Sequence, residues 1–111
     1  MLDSVFTGEA NMKTLFVVTR IRGQGWDHDK PLRAQREWPE HATFMEQLAA
    51  DGFVVLGGPL GDEGKVLLVV DAADESEIRE TLARDPWSQS GILEVSAVQR
   101  WTILLQSGEE K

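Results

Sequence analysis

The residue with the clearest capacity for chemistry is His41, one of two histidines in the chain. It opens an apolar stripe at positions i, i+3, i+4 and i+7 of a predicted helix, formed by His41, Phe44, Met45 and Leu48. This spacing directs the imidazole towards the interior. There it is either a structural histidine hydrogen-bonded beneath the helix or a proton carrier near neutral pH. The other histidine, His28, lies in an acidic loop, and we expect it to be exposed.

The second candidate is Asp85, which immediately precedes Pro86 and Trp87. An aspartate that ends a helix in an Asp-Pro turn is common, so a catalytic interpretation requires a partner. In the predicted order of elements, His41 opens the first helix and Asp85 closes the second. We take the two helices to run parallel to each other on one face of a sheet, which places the two residues at opposite ends. A direct contact between them therefore does not follow from the topology.

Glycine, proline and tryptophan residues accompany the two candidates. Gly57, Gly58 and Pro59 form either a hairpin turn or a place where a ligand approaches bare backbone amides. Their spacing is not that of a dinucleotide-binding loop. Trp38 and Trp87 flank the two candidates, so both indoles are placed to wall a pocket.

The composition excludes several classes of function. The 111 residues include 19 acidic and 11 basic side chains, a net charge of −8. Such a surface repels phosphate backbones and anionic membranes, so we expect neither nucleic acid nor a membrane as a partner. The absence of cysteine from the sequence excludes disulfides, iron–sulfur clusters, thiolate zinc sites and a cysteine nucleophile. Two histidines also disfavour a multi-histidine metal site, and we expect no metal and no cofactor.

The chain has the length of one domain. We expect that domain over residues 12–106, with residues 1–11 as an N-terminal extension and residues 107–111 as a C-terminal tail. The first eleven residues have no basic cluster and no sustained apolar segment, unlike a secretory signal. The longest aliphatic run, Val66–Val70, is far shorter than the roughly 20 residues of a membrane-spanning helix. These features predict a soluble, cytoplasmic protein.

Hydrophobic periodicity predicts four strands and two helices in the order β-α-β-β-α-β. Asp29 with Pro31 indicates a further helical start, GGPLGDEG is interpreted as the turn of a hairpin, and Asp74 with Glu77 has capping-box spacing. The order predicts an α+β, ferredoxin-like fold, a four-stranded antiparallel sheet with two helices on one face. The predicted elements are strands Lys13–Ile21, Phe53–Leu56, Lys65–Val70 and Leu93–Leu105 and helices Glu40–Ala50 and Asp74–Arg84.

Two of the predicted strands, FVVL and VLLVV, are apolar at consecutive positions. Both of their faces are therefore expected to be buried, although two helices cover only one face. Large exposed apolar patches are uncommon on soluble monomers. The sequence thus predicts a homodimer in which a second copy of the sheet covers the open face. The alternative is that a few valines face solvent.

Taken in order, these segments resemble the YciI-like, or YCII-related, family of small bacterial proteins. The resemblance is carried by EHATFMEQLAADGFVVLGGPL, DESEIRETLARDPWSQSGILE and VQRW, and it extends from about Lys13 to Leu105. It implies a dimeric α/β barrel built from two ferredoxin-like sheets. It also implies that His41 and Asp85 match the family's histidine and aspartate, a proposed catalytic dyad that meets in a pocket. Members with an assigned activity act on small, often aromatic-derived molecules, including by dehydrochlorination.

One position departs from the family pattern. An arginine usually stands three residues before the histidine, and this chain has Trp38 there. Arg36 and Arg33 are the candidates to supply the missing charge. The expected substrate pocket contains Trp38, Gly58, Pro59, Trp87 and Arg36.

The resulting hypothesis is a homodimeric, cofactor-independent enzyme acting on a small molecule. His41 serves as general acid/base, and Asp85 holds its tautomer or stabilises the imidazolium. An acid/base pair without a nucleophile suits proton abstraction coupled to elimination or isomerisation, as in a lyase, isomerase or dehydrochlorinase. The alternative is a non-catalytic binding or regulatory module that uses the same pocket to hold a small acid. A third interpretation is a purely structural dimerisation domain.

Overall fold

The computed structural model describes residues 14–108. The predicted extension at residues 1–11, and residues 109–111 of the predicted tail, lie outside the described residues. Among residues 14–108, no helix combines the length and apolar character that crossing a membrane requires. The strands are β1 (Thr14–Arg22), β2 (Val54–Leu60), β3 (Lys65–Val70) and β4 (Leu93–Thr102), and the helices are α1 (Trp38–Ala50), α2 (Glu75–Leu82) and α3 (Pro86–Gln89).

The four strands form one sheet in the order β2-β3-β1-β4, and every neighbouring pair is antiparallel. β1 and β3, the two central strands, are rich in valine and leucine, residue types that suit a pleated, buried surface. The predicted α+β, ferredoxin-like fold is confirmed. The predicted bounds of β3 agree with the structure, whereas β4 ends at Thr102 rather than at Leu105.

The helices α1 and α2 run antiparallel to each other, so the expected separation of His41 from Asp85 is wrong. α1 follows β1, α2 follows β3, and these two strands run in opposite directions. Because each helix returns the chain to the opposite end of the sheet, the helices also run in opposite directions. The first turn of α1 and the last turn of α2 consequently share one end of the sheet.

The core lies between the sheet and the helices. Alternate residues of β1, Phe16 and Val18, pack there with Ile78 and Leu82 of α2. Val18, Ile78 and Leu82 are fully buried. Since side chains alternate along a strand, the next residue of β1 on this face is Arg20, which is also buried. A charged side chain in this position must find its partners inside the protein.

The opposite face of the sheet carries large apolar side chains that solvent reaches. Leu56 and Leu60 of β2 and Trp101 of β4 are 66%, 50% and 47% exposed. Leu56 pairs with Val69 and Trp101 with Leu15, residues that alternate with those facing the helices. Both faces of the sheet are therefore apolar, and the helices of the described residues pack against one of them.

Half of the segment predicted as a hairpin turn, residues 57–64, is strand. β2 continues through Gly57, Gly58 and Pro59 to Leu60, and the turn occupies residues 61–64. Proline is tolerated because β2 is an edge strand, where one side of the backbone needs no ladder partner. The register shifts between Val54 and Leu56, so β2 carries a bulge at this point.

Two helix-start predictions differ from the structure in detail. Asp74 caps α2 by accepting from the backbone N–H of Glu77, as the spacing predicts, but the Glu77 carboxylate accepts from the N–H of Ala73. In place of a helix starting near Asp29, a single 3-10 turn forms at Leu32–Ala34. The four-residue helix α3 was not predicted, because four residues carry no measurable periodicity.

The loop of residues 23–37, between β1 and α1, is fastened at two places. Its glycines dock on the segment before β4, where the N–H of Gly23 donates to Ile92 and the N–H of Gly25 donates to Gly91. A Cβ atom at either glycine would collide with a backbone oxygen of this segment. The side chain of buried Gln35 makes three hydrogen bonds of 2.8–2.9 Å to the loop's own backbone. It accepts from the N–H of Asp27 and donates to the carbonyls of Asp27 and Lys30.

Candidate active site

His41 and Asp85 meet at the shared end of the two helices. His41 lies in the first turn of α1, and Asp85 caps α3 directly after α2. The imidazole Nδ1 lies 2.9 Å from each carboxylate oxygen of Asp85. The aspartate is fully buried and the histidine is 8% exposed. The pair therefore has hydrogen-bonding geometry in a largely water-free environment.

Asp85 is held as a carboxylate by its surroundings. Burial acts to raise the pKa of Asp85, but the hydrogen bond from His41, the backbone N–H of Trp87 and the guanidinium of Arg20 together lower it below the ordinary value. The Arg20 Nη1–Oδ2 distance is 2.8 Å and the Trp87 N–Oδ1 distance is 2.9 Å. A charged carboxylate accepts a hydrogen bond from Nδ1–H, so Nε2 is the unprotonated nitrogen of a neutral imidazole in this position.

Arg20 is the functional residue that sequence reasoning missed. Its Nη1 donates to Asp85, and its Nη2 donates to the Ser88 hydroxyl at 2.8 Å. That hydroxyl donates in turn to the Leu82 carbonyl at 2.7 Å, which ties the ion pair to the end of α2. The sequence of β1 does indicate that Arg20 is buried, because side chains alternate along a strand and Arg20 falls on the same face as Phe16 and Val18.

Tryptophan rings frame the imidazole. The ring of Trp87 stacks on His41 with centroids 3.9 Å apart and planes 5° from parallel. Trp38 lies across both rings, with its centroid 5.8 Å from His41 and 5.7 Å from Trp87. Trp26, in the loop of residues 23–37, meets Trp87 edge-on at 6.2 Å. The imidazole is thereby fixed in orientation by apolar surfaces.

A cavity of about 370 Å³ opens beside this frame, which is within the range of small-molecule sites. His41 lines it, whereas Asp85 stands behind the imidazole and outside the lining. Because Nδ1 is occupied by Asp85, Nε2 is the imidazole nitrogen available to a molecule in the cavity. The lining includes Arg20, Trp38, Met45, Gly58, Pro59 and Trp87.

The structure brings most of the predicted pocket together and leaves one member outside it. Trp38, Gly58, Pro59 and Trp87 line the cavity. Arg36 is exposed and outside the lining, and its backbone carbonyl accepts from the indole N–H of Trp87 at 2.6 Å. Arg33, the other candidate, lies 5.7 Å over the ring of Trp38. The arginine that reaches the histidine–aspartate pair is Arg20.

The described residues contain no group of three or more histidine, cysteine, aspartate or glutamate side chains that could hold a metal ion. His28 is exposed in the loop of residues 23–37.

Comparison with known families shows to which family this chain belongs. The pattern of the YCII-related domain matches residues 21–102, which is most of the chain. The protein belongs to the YCII-related family. This confirms the resemblance seen in the sequence. The matched range of this YCII-related domain contains the positions of His41, Asp85 and both cavity tryptophans.

A solved structure supports the fold of this YCII-related domain. It is the 5-chloro-2-hydroxyhydroquinone dehydrochlorinase TftG from Burkholderia phenoliruptrix AC1100, in complex with 2,5-dihydroxybenzoquinone. The two chains are 22% identical, the TM-score is 0.57, and the match covers 78% of this chain and 92% of the other. No curated protein matches the chain.

Proposed function

We propose that this YCII-related protein is a small-molecule enzyme in which His41 moves a proton through Nε2. One observation carries the proposal. Nδ1 of His41 is bound by the buried, charged carboxylate of Asp85, and the same residue lines an apolar cavity of about 370 Å³. A base oriented by a carboxylate and set in the wall of a cavity suits general acid/base catalysis, which needs the base within hydrogen-bond reach of the proton that it takes.

The proposed reaction is proton abstraction coupled to elimination or isomerisation. Nε2 takes a proton from a ring carbon next to a carbonyl, and the electrons of the C–H bond form a new C=C bond. In an elimination, the C–Cl bond of the adjacent carbon breaks, chloride leaves with its electron pair, and the proton remains on Nε2 until it passes to water. In an isomerisation, Nε2 returns the proton to a different carbon. Asp85 stabilises the imidazolium formed in either case.

The structural neighbour supports a dehydrochlorination in particular. TftG is named as a dehydrochlorinase and was solved with a quinone in place. A planar ring of that size suits a cavity walled by Trp38 and Trp87, because aromatic faces pack against one another. We therefore propose small cyclic, aromatic-derived compounds as the substrate class.

We also propose that the protein acts as a homodimer. The exposed leucines of β2 and the exposed Trp101 of β4 lie on the face of the sheet opposite the helices. A second copy placed sheet to sheet buries this face and forms the dimeric α/β barrel that the family resemblance implies. The proposed partners are thus a second copy of the chain and a small molecule.

The test measures proton transfer directly. The protein is incubated in D₂O with a panel of small cyclic ketones, including members that carry chlorine on the carbon beta to the carbonyl, while NMR follows deuterium uptake and an electrode follows chloride release. His41→Gln keeps a polar side chain but cannot carry a proton at neutral pH. We expect it to lower the rate by about a hundredfold or more with little change in binding.

The matched control is His28→Gln, which changes an exposed loop histidine. It is expected to retain the wild-type rate. Binding of ring compounds by wild type, with neither deuterium uptake nor chloride release from any of them, would contradict the enzyme proposal and favour a binding module. Equal rates for wild type and a folded His41→Gln variant would remove His41 from the mechanism.

A further inference from the structure

A second cavity of about 250 Å³ adjoins the first. The two cavities share four lining residues, Leu32, Pro59, Val66 and Leu93. The second one is different in character, because two cations, Arg22 and Lys65, line it together with Asp62. A molecule that fills the first cavity can therefore extend past the shared wall into a region of positive charge.

Arg22 is held in a defined position in this cavity. Its guanidinium carbon lies 4.3 Å from the centroid of the Trp26 ring, a cation–π contact. On another side it lies against Gly64, where a Cβ atom would come within 2.7 Å of Nε. Gly64 has φ +82°, the left-handed conformation that glycine adopts most readily. The indole and the glycine backbone together restrict the planar side chain.

Neither cation has an acidic partner among residues 14–108. The ion pairs there join Arg20 and His41 to Asp85, Lys30 to Asp27 and Arg79 to Glu75. Asp62 lines the same cavity but forms no ion pair with Arg22 or Lys65. In a chain of net charge −8, two cations that line one cavity and form no ion pair among residues 14–108 favour a ligand that supplies the anion.

We propose that this second cavity binds a carboxylate of the substrate whose ring occupies the first cavity. A guanidinium fixed in one plane offers two parallel N–H donors that match the two oxygens of a carboxylate. Arg20 and Arg22 lie on the same face of β1, two residues apart, which is roughly 7 Å along a strand. The substrate class is then a small ring acid whose ring, with the reacting carbon, lies in the first cavity and whose carboxylate reaches the second.

This inference rests on the proposed function only for where the reacting carbon lies. The binding site itself is tested without turnover. Calorimetry compares 4-hydroxyphenylacetate with its neutral counterpart 4-hydroxyphenylacetamide, which have nearly the same shape. We expect wild type to bind the carboxylate about tenfold or more tightly than the amide, because a hydrogen bond to a charged group is stronger than a neutral one.

Arg22→Gln is expected to abolish this preference, and Lys65→Gln to reduce it, with amide binding unchanged. The matched control is Arg33→Gln, which removes one exposed cation that lies over Trp38 instead of in the second cavity. It should retain the preference, as should His41→Gln. Retention in His41→Gln would support the carboxylate site even if no proton transfer is found.

Three results would overturn the proposal. The first is equal affinity of wild type for the acid and the amide, or no binding of the acid at millimolar concentration. The second is a preference that survives in a folded Arg22→Gln, Lys65→Gln double variant. The third is an equal loss with Arg33→Gln, which would assign the effect to overall charge.

Discussion

The imidazole of His41 lies flat on the indole of Trp87, with ring centroids 3.9 Å apart and planes 5° from parallel. Trp87 also donates its backbone N–H to Oδ1 of Asp85 and its indole N–H to the carbonyl of Arg36. One fully buried residue thereby orients both members of the pair. Its ring sets the plane of the imidazole, and its backbone holds the carboxylate.

The stack predicts different outcomes for two substitutions of Trp87. Trp87→Leu removes the aromatic face and the indole donor, and we expect it to lower the free energy of unfolding by about 3–5 kcal/mol, in the range of large core truncations. Trp87→Phe keeps a ring against the imidazole and should cost less. Urea denaturation measures both, and the NMR shifts of the His41 ring protons report the stacking. Equal losses of stability and equal NMR shifts in the two variants would show that the stacked ring does not contribute.

The buried ion pair predicts strong coupling between Arg20 and Asp85. Asp85→Asn leaves the guanidinium buried without a charged partner, and we expect it to destabilise the protein by about 3–5 kcal/mol. Adding Arg20→Met to that variant should cost less than the sum of the single changes, because no unpaired charge is then left inside. The free energies of unfolding of the two single variants and the double variant complete the cycle.

The control for this cycle is the exposed pair of Arg79 and Glu75, in which both side chains are about half exposed. Glu75→Gln is expected to change the stability by no more than about 0.5 kcal/mol. Additive losses for Arg20→Met and Asp85→Asn would contradict the coupling.

The lowered pKa of Asp85 predicts a loss of stability in acid. The folded protein holds Asp85 as a carboxylate below the ordinary aspartate pKa, whereas the unfolded chain protonates at that ordinary value. Between the two values the unfolded state binds more protons, so stability falls as the pH falls. The contribution is complete above the unfolded pKa and is lost as the pH passes down through the folded one. Urea midpoints from neutral to acidic pH should decline more steeply for wild type than for Asp85→Asn, and parallel curves would contradict this.

The glycine contacts of the loop of residues 23–37 predict that one added methyl group lowers stability at Gly25 but not at Gly58. Gly25→Ala places a Cβ against the carbonyl oxygen of Ser90, and we expect a loss of about 1–3 kcal/mol, as for overpacking. Gly58→Ala has no atom within 4 Å of the new Cβ and serves as the control. It should be neutral or slightly stabilising, because alanine has less conformational freedom to lose than glycine. Thermal unfolding compares the two variants. Equal unfolding midpoints would mean that the loop shifts to accommodate the methyl group without loss of stability.

The proposed dimer predicts a mass of twice the chain in light scattering at micromolar concentration. Leu60→Lys and Trp101→Lys each place a charge on the open face of the sheet, at its two edge strands, and should shift the mass towards that of one chain. Thr43→Lys adds the same charge on an exposed position of α1 and should leave the mass unchanged. A monomeric wild type that unfolds cooperatively would contradict the sheet-to-sheet arrangement.

The parts of the fold and site that depend on local pattern were predictable from the sequence. The spacing of apolar residues in α1 places His41 on the inner face of the helix. The Asp-Pro-Trp segment indicates that Asp85 lies in a turn that ends a helix. Trp38 and Trp87 were recognised as pocket walls from their positions beside these two residues. Each of these inferences needs only neighbouring residues.

The features that depend on contacts across the sequence were harder to predict. The meeting of His41 with Asp85 follows from the opposite directions of α1 and α2, which the antiparallel pairing of β1 with β3 sets. Identifying Arg20 as the partner of Asp85 required knowing which side chains pack against the buried face of β1. The loop of residues 23–37 owes its shape to Gln35 and to contacts between its glycines and Gly91, and none of these has a periodic signature.

The way this loop is held has a consequence for evolvability. Its order comes from the bonds of Gln35 to its own backbone and from glycine contacts at its base, whereas His41, Asp85 and Arg20 are held by the helices and the sheet. The loop nevertheless supplies Leu32 to both cavities and Trp26 to the second. Leu32 and Trp26 make none of the hydrogen bonds that join His41, Asp85 and Arg20. Drift at these two loop positions can therefore change which molecule the cavities accept while the bonds within the histidine–aspartate pair persist.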